Sequence, residues 1–159
     1  MLQPEDWSVA DLEVSRLLAA PCEAVWRAWS EPELLEQWWA PAPLGTRVIE
    51  LDLRPGGAFR TLMVMPGGAE VPSTTGIFVQ VVPGHRIVFT DALAPDWRPS
   101  ADPFFTAVIS MEDRDGSTLY TARALHKDIG ARQRHAELGF EAGWTRSMEQ
   151  LEEVAAALT

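Results

Sequence analysis

Near the C-terminus six apolar residues, Phe140, Trp144, Met148, Leu151, Ala155 and Leu158, recur at helical spacing. At about 100° per residue they fall within an arc of roughly 80°, while Glu141, Glu149, Glu152 and Glu153 lie on the other side. The pattern predicts a long helix over Ala131–Ala157 with one face laid on something apolar. The preceding segments supply that surface. From Arg47 onward the apolar period changes from about 3.6 to about 2. Arg47–Leu53 alternates and Ala58–Met65 returns. Between them Arg54-Pro55-Gly56-Gly57 has tight-turn chemistry, because Pro presets φ and Gly permits positive φ. Further strands are predicted at Thr75–Val82, Arg86–Asp91, Phe104–Glu112 and Ser117–Leu125. Pro83-Gly84, a longer loop holding Trp97, and Asp113-Arg114-Asp115-Gly116 join them. Sequential strands on short turns make an antiparallel meander. The expected class is α+β, a curved antiparallel sheet closed by the C-terminal helix.

Upstream, Val9–Leu18 reads as a first strand. Pro21 opens a helix through Trp29, at a position where its missing N–H costs nothing. Ser30-Glu31-Pro32-Glu33 reads as a capping box for a second short helix through Leu34, Leu35 and Trp38, stopped by Pro41 and Pro43. Gly139 and Gly143 sit four apart beside the stripe of the last helix. Each costs on the order of 1 kcal/mol of helix propensity relative to Ala, so each needs a reason: close helix–sheet packing, or room for a ligand. At 159 residues, with no internal repeat or long linker, residues 1–159 are expected to form one domain.

The net charge of −10, with 13 scattered Lys and Arg, argues against nucleic acid and against an anionic membrane surface. It would suit a basic partner protein. One cysteine, Cys22, leaves no internal disulfide, and Met1–Asp6 lacks the apolar run of a signal peptide. No stretch approaches the roughly 20 apolar residues of a membrane span. A cytoplasmic protein is expected.

Chemistry-bearing residues are sparse. His85, His126 and His135 are not at metal-ligand spacing, and His135-Ala136-Glu137 lacks the Cys pair of a zinc deaminase. No metal and no cofactor is expected. Cys22 in a first helical turn has no companion base in view and reads as a small helix residue. Asp91, Glu112, Asp128 and His126 could supply acid–base groups at a cavity mouth, although turn or cap duty is the default for Asp91 and Asp128.

Several stretches together carry a family resemblance. Ala20-Pro21-Cys22-Glu23-Ala24-Val25-Trp26-Arg27-Ala28 and Pro32-Glu33-Leu34-Leu35-Glu36-Gln37-Trp38-Trp39-Ala40-Pro41 are followed by Asp52-Leu53-Arg54-Pro55-Gly56-Gly57-Ala58-Phe59. Then come Arg86-Ile87-Val88-Phe89-Thr90 and the final Gly139-Phe140…Gly143-Trp144…Leu151. In this order they resemble the START-like (SRPBCC) superfamily with its helix-grip fold. Within it they resemble the branch named for the C-terminal domain of the activator of the heat-shock chaperone ATPase, grouped also with polyketide-cyclase-like proteins. The match runs from Val9 to Leu158. It implies about seven strands wrapped on the long helix, with a cavity between, but not one function, because the fold hosts many.

In that fold Trp38, Trp39, Phe59, Met63, Phe78, Phe89, Trp97, Phe104, Phe140, Trp144 and Met148 would surround the cavity as ligand-binding residues. Met and Trp suit a pocket for a flat or greasy molecule, and they could equally fill it as core. Trp97, in a Pro-rich loop, is either a lid or a loop anchor. Three readings follow. The preferred one is non-enzymatic binding of a small hydrophobic molecule. The second is a stress-linked chaperone regulator whose partner is the chaperone. The third is a cyclase- or hydrolase-type enzyme pairing His126 or Asp91 with Glu112 inside the cavity. Relatives of this type often pair, so the resemblance also allows a homodimer.

Overall fold

The computed structural model describes the backbone from Pro4 to Thr159 and the side chains from Trp7. Part of the Met1–Asp6 segment discussed above therefore lies outside the described residues. A tight helical segment, Pro4–Ala10, leads into strand β1, Asp11–Leu18. Helix α1 spans Cys22–Ser30 with Pro21 as its cap, and α2 is the single turn Pro32–Leu35. The predicted capping box does not form. Ser30 is still part of α1, so Glu31 takes the cap position of α2, and its carboxylate makes no capping bond because Arg27 Nε holds it at 2.7 Å.

The meander follows as β2, Gly45–Leu51; β3, Ala58–Val64; β4, Glu70–Val82; and β5, Arg86–Thr90. A two-stranded ribbon of β6, Leu93–Ala94, and β7, Arg98–Pro99, interrupts it before β8, Thr106–Arg114, and β9, Ser117–Leu125. Seven strands form one antiparallel sheet in the order β1-β9-β8-β5-β4-β3-β2. Strand β4 starts five residues before its predicted start because Glu70–Thr74 pairs with Thr61–Val64 of β3. Pro72 is tolerated there, since β5 reaches only as far as Ile77 and the other edge of that stretch is unpaired. Strand β8 begins two residues late for a physical reason. The amides of Phe104 and Phe105 donate to the Asp91 carboxylate at 2.9–3.2 Å, so they are withdrawn from the ladder.

The predicted C-terminal helix is two helices. Helix α3 spans Ile129–Glu137, capped by Asp128, whose carboxylate accepts from the Ala131 amide at 2.8 Å; α4 spans Phe140–Ala156. The break is at Gly139, where φ is +93°, a conformation a side-chain-bearing residue adopts only with strain. Beyond it α4 crosses the sheet, with Met148, Leu151 and Ala155 buried in the core.

Two polar clamps fix the C-terminal half of α4. Buried Gln150 donates to the carbonyls of Trp38 and Ala40 and accepts from the Ala42 amide at 2.8 Å. Glu152 accepts from the Ala19 amide at 2.7 Å and from Arg16 at 3.0 Å. The Ala19 amide, with Arg16 beside it, holds the Glu152 carboxyl below its usual range. The centre of the core is Trp29, fully buried, whose Nε1 donates to the buried Tyr120 hydroxyl at 2.9 Å. Removing one partner from a buried hydrogen bond costs about 1–3 kcal/mol. Tyr120→Phe is therefore expected to lower stability by about 2 kcal/mol in urea unfolding with an unchanged m-value.

Candidate functional site

Between the sheet and the N-terminal half of α4 lies a cavity of about 390 Å³. That size is within the roughly 300–1,000 Å³ of small-molecule sites. Its walls come from six places. The turn after α2 contributes Trp38, Trp39 and Pro41; β3 and β4 contribute Phe59, Met63 and the stretch Ser73–Ile77. The end of β5 and the approach to β8 supply Phe89, Phe104 and Phe105, and β9 supplies Tyr120. The α3–α4 corner closes it with His135, Leu138 and Phe140, and α4 adds Trp144, Ser147 and Met148.

Nine of the eleven residues singled out in the sequence are thus brought to one cavity: Trp38, Trp39, Phe59, Met63, Phe89, Phe104, Phe140, Trp144 and Met148. Two are not. Phe78 is fully buried behind the wall, stacked on Phe59 at 4.7 Å between ring centroids. Trp97 is 53% exposed and its indole lies against Gly56, where an added Cβ would meet the ring at 2.7 Å. It anchors its loop to the β2–β3 turn and does not cover the cavity.

The aromatic rings share the work of filling and lining. Trp29 and Trp38 are buried and pack edge-on at 5.4 Å, Trp29 closing the core beneath the cavity. Trp39 is only partly buried. Its ring touches Phe59, Phe89 and Trp144 at 5.3–6.5 Å, while its Nε1 donates to Thr74. The space left open lies next to Gly139 and Gly143. An added Cβ at either would meet nothing within 4 Å, so neither glycine serves close packing. Gly143→Ala should therefore raise stability by about 0.5–1 kcal/mol through helix propensity. A fall in Tm would show instead that the backbone there is tightly packed.

The residues proposed for acid–base chemistry are not assembled. The Asp91 carboxylate is spent on two backbone amides, Asp128 caps α3, and Glu112 is exposed beside Arg114 at 3.1 Å. His126 instead joins a residue that no motif or spacing pairs with it. Its Nδ1 lies 2.7 Å from the Ala10 carbonyl and its Nε2 lies 2.9 Å from His135 Nδ1. His135 is 7% exposed among Phe104, Phe105 and Phe140, with ring centroids 4.6–5.0 Å away. Burial, with His126 beside it, pushes the His135 imidazole down to about 4. Tyr120 and Phe105 also belong to the lining and were missed. Period-2 alternation along β9 signalled that Tyr120 points inward, but not that the inward face meets a cavity. Among the described residues no group of three or more His, Cys, Asp or Glu is placed to hold a metal ion, and no helix is long and apolar enough to cross a membrane.

The low value for His135 carries a pH dependence of defined sign. Between its folded value of about 4 and the ordinary 6.5, the unfolded chain binds a proton that the folded chain refuses. Stability should therefore fall as pH drops from about 6.5 to about 4 and be insensitive to this group above that window. Urea unfolding across pH 4–7 should show a decline on the order of 2 kcal/mol that is much reduced in His135→Phe.

Sheet, grip helix and interior cavity together define a helix-grip protein of the START-like kind. The chain belongs to the family described as activator of Hsp90 ATPase homolog 1-like protein, whose model matches residues 19–156. It is similar over 94% of its length to a crystal structure of a Nitrosomonas europaea protein, with 40% identity, a TM-score of 0.86 and 96% of that chain covered. A Mycobacterium smegmatis protein is 28% identical over 97% of this chain and 93% of that one, with a TM-score of 0.78. A Silicibacter pomeroyi protein that carries the family's abbreviated name is 27% identical over 94% of this chain and all of that one, with a TM-score of 0.68. Among curated proteins none matches the chain.

Proposed function

We propose that this protein binds a small hydrophobic molecule in the cavity between its sheet and helix α4. The observation that carries the reading is the open, aromatic-lined space beside Gly139 and Gly143. A chain selected only for packing would have filled that space, because Ala or a larger residue at Gly143 gains helix propensity and apolar contact together. The two clamps on the far half of α4 support the same reading. They let the near half stand over a void without the helix collapsing onto the sheet. The family is named for activation of a chaperone ATPase, and an acidic surface would suit a basic partner. That alternative draws on name and charge, whereas ligand binding draws on the interior of the fold.

Native mass spectrometry of freshly purified protein is expected to reveal a co-purified small molecule. Failing that, the apolar fluorophore N-phenyl-1-naphthylamine should bind with micromolar affinity. Gly143→Leu places a side chain in the void and should weaken fluorophore binding at least tenfold while leaving the thermal transition cooperative. Absence of both a bound mass and fluorophore binding would overturn the proposal.

A further inference from the structure

Most polar groups on the cavity wall are already committed. Ser147 gives its hydrogen to the Trp39 carbonyl at 3.1 Å, which leaves its oxygen able only to accept, and Thr90 bonds Thr106 at 2.7 Å. The Asp91 carboxylate holds the amides of Phe104 and Phe105, and Trp39 Nε1 donates to Thr74. The His135 imidazole can donate or accept as its protons move, so it selects neither kind of ligand.

Three hydrogens on the same wall find no acceptor among the described residues. The first is on Trp144 Nε1, an indole nitrogen that can only donate. Among the described residues the sealed, unpaired side-chain atoms are Arg16 Nε and Thr46 Oγ1, so Trp144 Nε1 is open to a water-sized molecule. The rings packed on Trp144 are Phe140, Phe105 and Trp39, at 5.2–6.5 Å, and each belongs to the cavity wall. The second hydrogen is that of the Tyr120 hydroxyl, whose oxygen accepts from Trp29 at 2.9 Å. Tyr120 is 2% exposed, so an acceptor for this hydrogen must come from inside, where the open space it borders is the cavity. The third is on Thr74, whose oxygen accepts from both Trp39 Nε1 and the Thr61 hydroxyl. With both lone pairs used, only its hydrogen is left to offer.

Charge narrows the choice further. No Lys or Arg lines the cavity, whereas the Asp91 carboxylate does. An anion there would be buried without a cation and beside a like charge.

We infer that the bound molecule is an uncharged, apolar ring compound bearing a carbonyl-type acceptor oxygen, and that Trp144 Nε1 is a donor that selects it. Tyr120 and Thr74 offer the same polarity to the rest of the molecule. The inference rests on the binding role proposed above and adds the chemistry of the ligand. A carbonyl oxygen brings two lone pairs and no hydrogen, which is what a wall with donors in surplus lacks. An organic cation could draw on the aromatic walls and Asp91, but it would leave the wall's hydrogens unpaired.

Four probes of similar shape test this at pH 7: 2-ethylnaphthalene, 2-acetylnaphthalene, 2-naphthoate and 1-(2-naphthyl)ethylammonium. Partition from water into cyclohexane, which offers no donor, sets the baseline. The affinity ratio of the acetyl to the ethyl compound should exceed the ratio of their partition coefficients at least tenfold, the gain expected of one hydrogen bond made in an apolar site. Both ions should bind more weakly than 2-acetylnaphthalene. In ¹H–¹⁵N spectra the indole N–H proton of Trp144 should move downfield with the acetyl compound and not with the ethyl one. Trp144→Phe keeps a ring and loses the donor, so the tenfold excess should fall at least threefold. No excess over cyclohexane, an excess undiminished in Trp144→Phe, or tighter binding of either ion would overturn the inference while leaving the cavity reading intact. Failure of all four probes and of N-phenyl-1-naphthylamine to bind would overturn both. The wild-type affinities and spectra decide the matter even if the variant does not fold.

Discussion

Trp29 is the contact on which the arrangement turns. Its indole is fully buried, hydrogen-bonded to Tyr120 across the core, and in edge or tilted contact with Trp38, Trp39, Phe59 and Phe89. One ring from α1 thereby ties the turn after α2 to strands β3, β5 and β9. Aromatic pairs in such geometries contribute about 0.5–1.5 kcal/mol each beyond their area, so the cluster is a stiff block. A stiff floor is what permits a void above it. Without Trp29 in place, nothing in the core would stop Trp39 and Phe89 from sinking into the space they now line.

The same logic explains the asymmetry of α4. Its C-terminal half is fixed to the rest of the fold by Gln150 and Glu152 and buries Met148, Leu151 and Ala155. Its N-terminal half carries Gly143 over open space and starts at the Gly139 corner. The helix is thus cantilevered over the cavity. At its start the α3–α4 corner brings His135 and buried Phe140 together at 5.0 Å and leaves Leu138 71% exposed. A polar relay, Ala10 to His126 to His135, runs into that corner.

Much of this was legible in order along the chain. The apolar stripe of α4, the return strands at Ala58, Arg86 and Ser117, and nine of the eleven residues expected at the cavity follow from periodicity and from a resemblance carried by adjacent motifs. The departures have two causes: a side chain that takes a partner local rules assign elsewhere, and a glycine whose backbone leaves the helical region. Asp91 takes the amides that would have begun β8 at Phe104. Arg27 takes the carboxylate of Glu31 at the start of α2. Gly139 adopts a left-handed turn and splits a helix that the stripe alone would have run through unbroken.

The sequence by itself determined the alternation of the strands, the amphipathic face of the last helix and the identity of the large rings available to the interior. Those depend on residue types at short, regular spacing. Only the tertiary structure decided whether the rings would line or fill the space, that Phe78 would stand behind the wall, and that Trp97 would lie on Gly56. It also decided that two histidines nine residues apart would share one hydrogen bond. These are outcomes of contacts between segments distant in sequence, fixed by packing volume and by the pairing of desolvated donors with acceptors, and no local pattern encodes either.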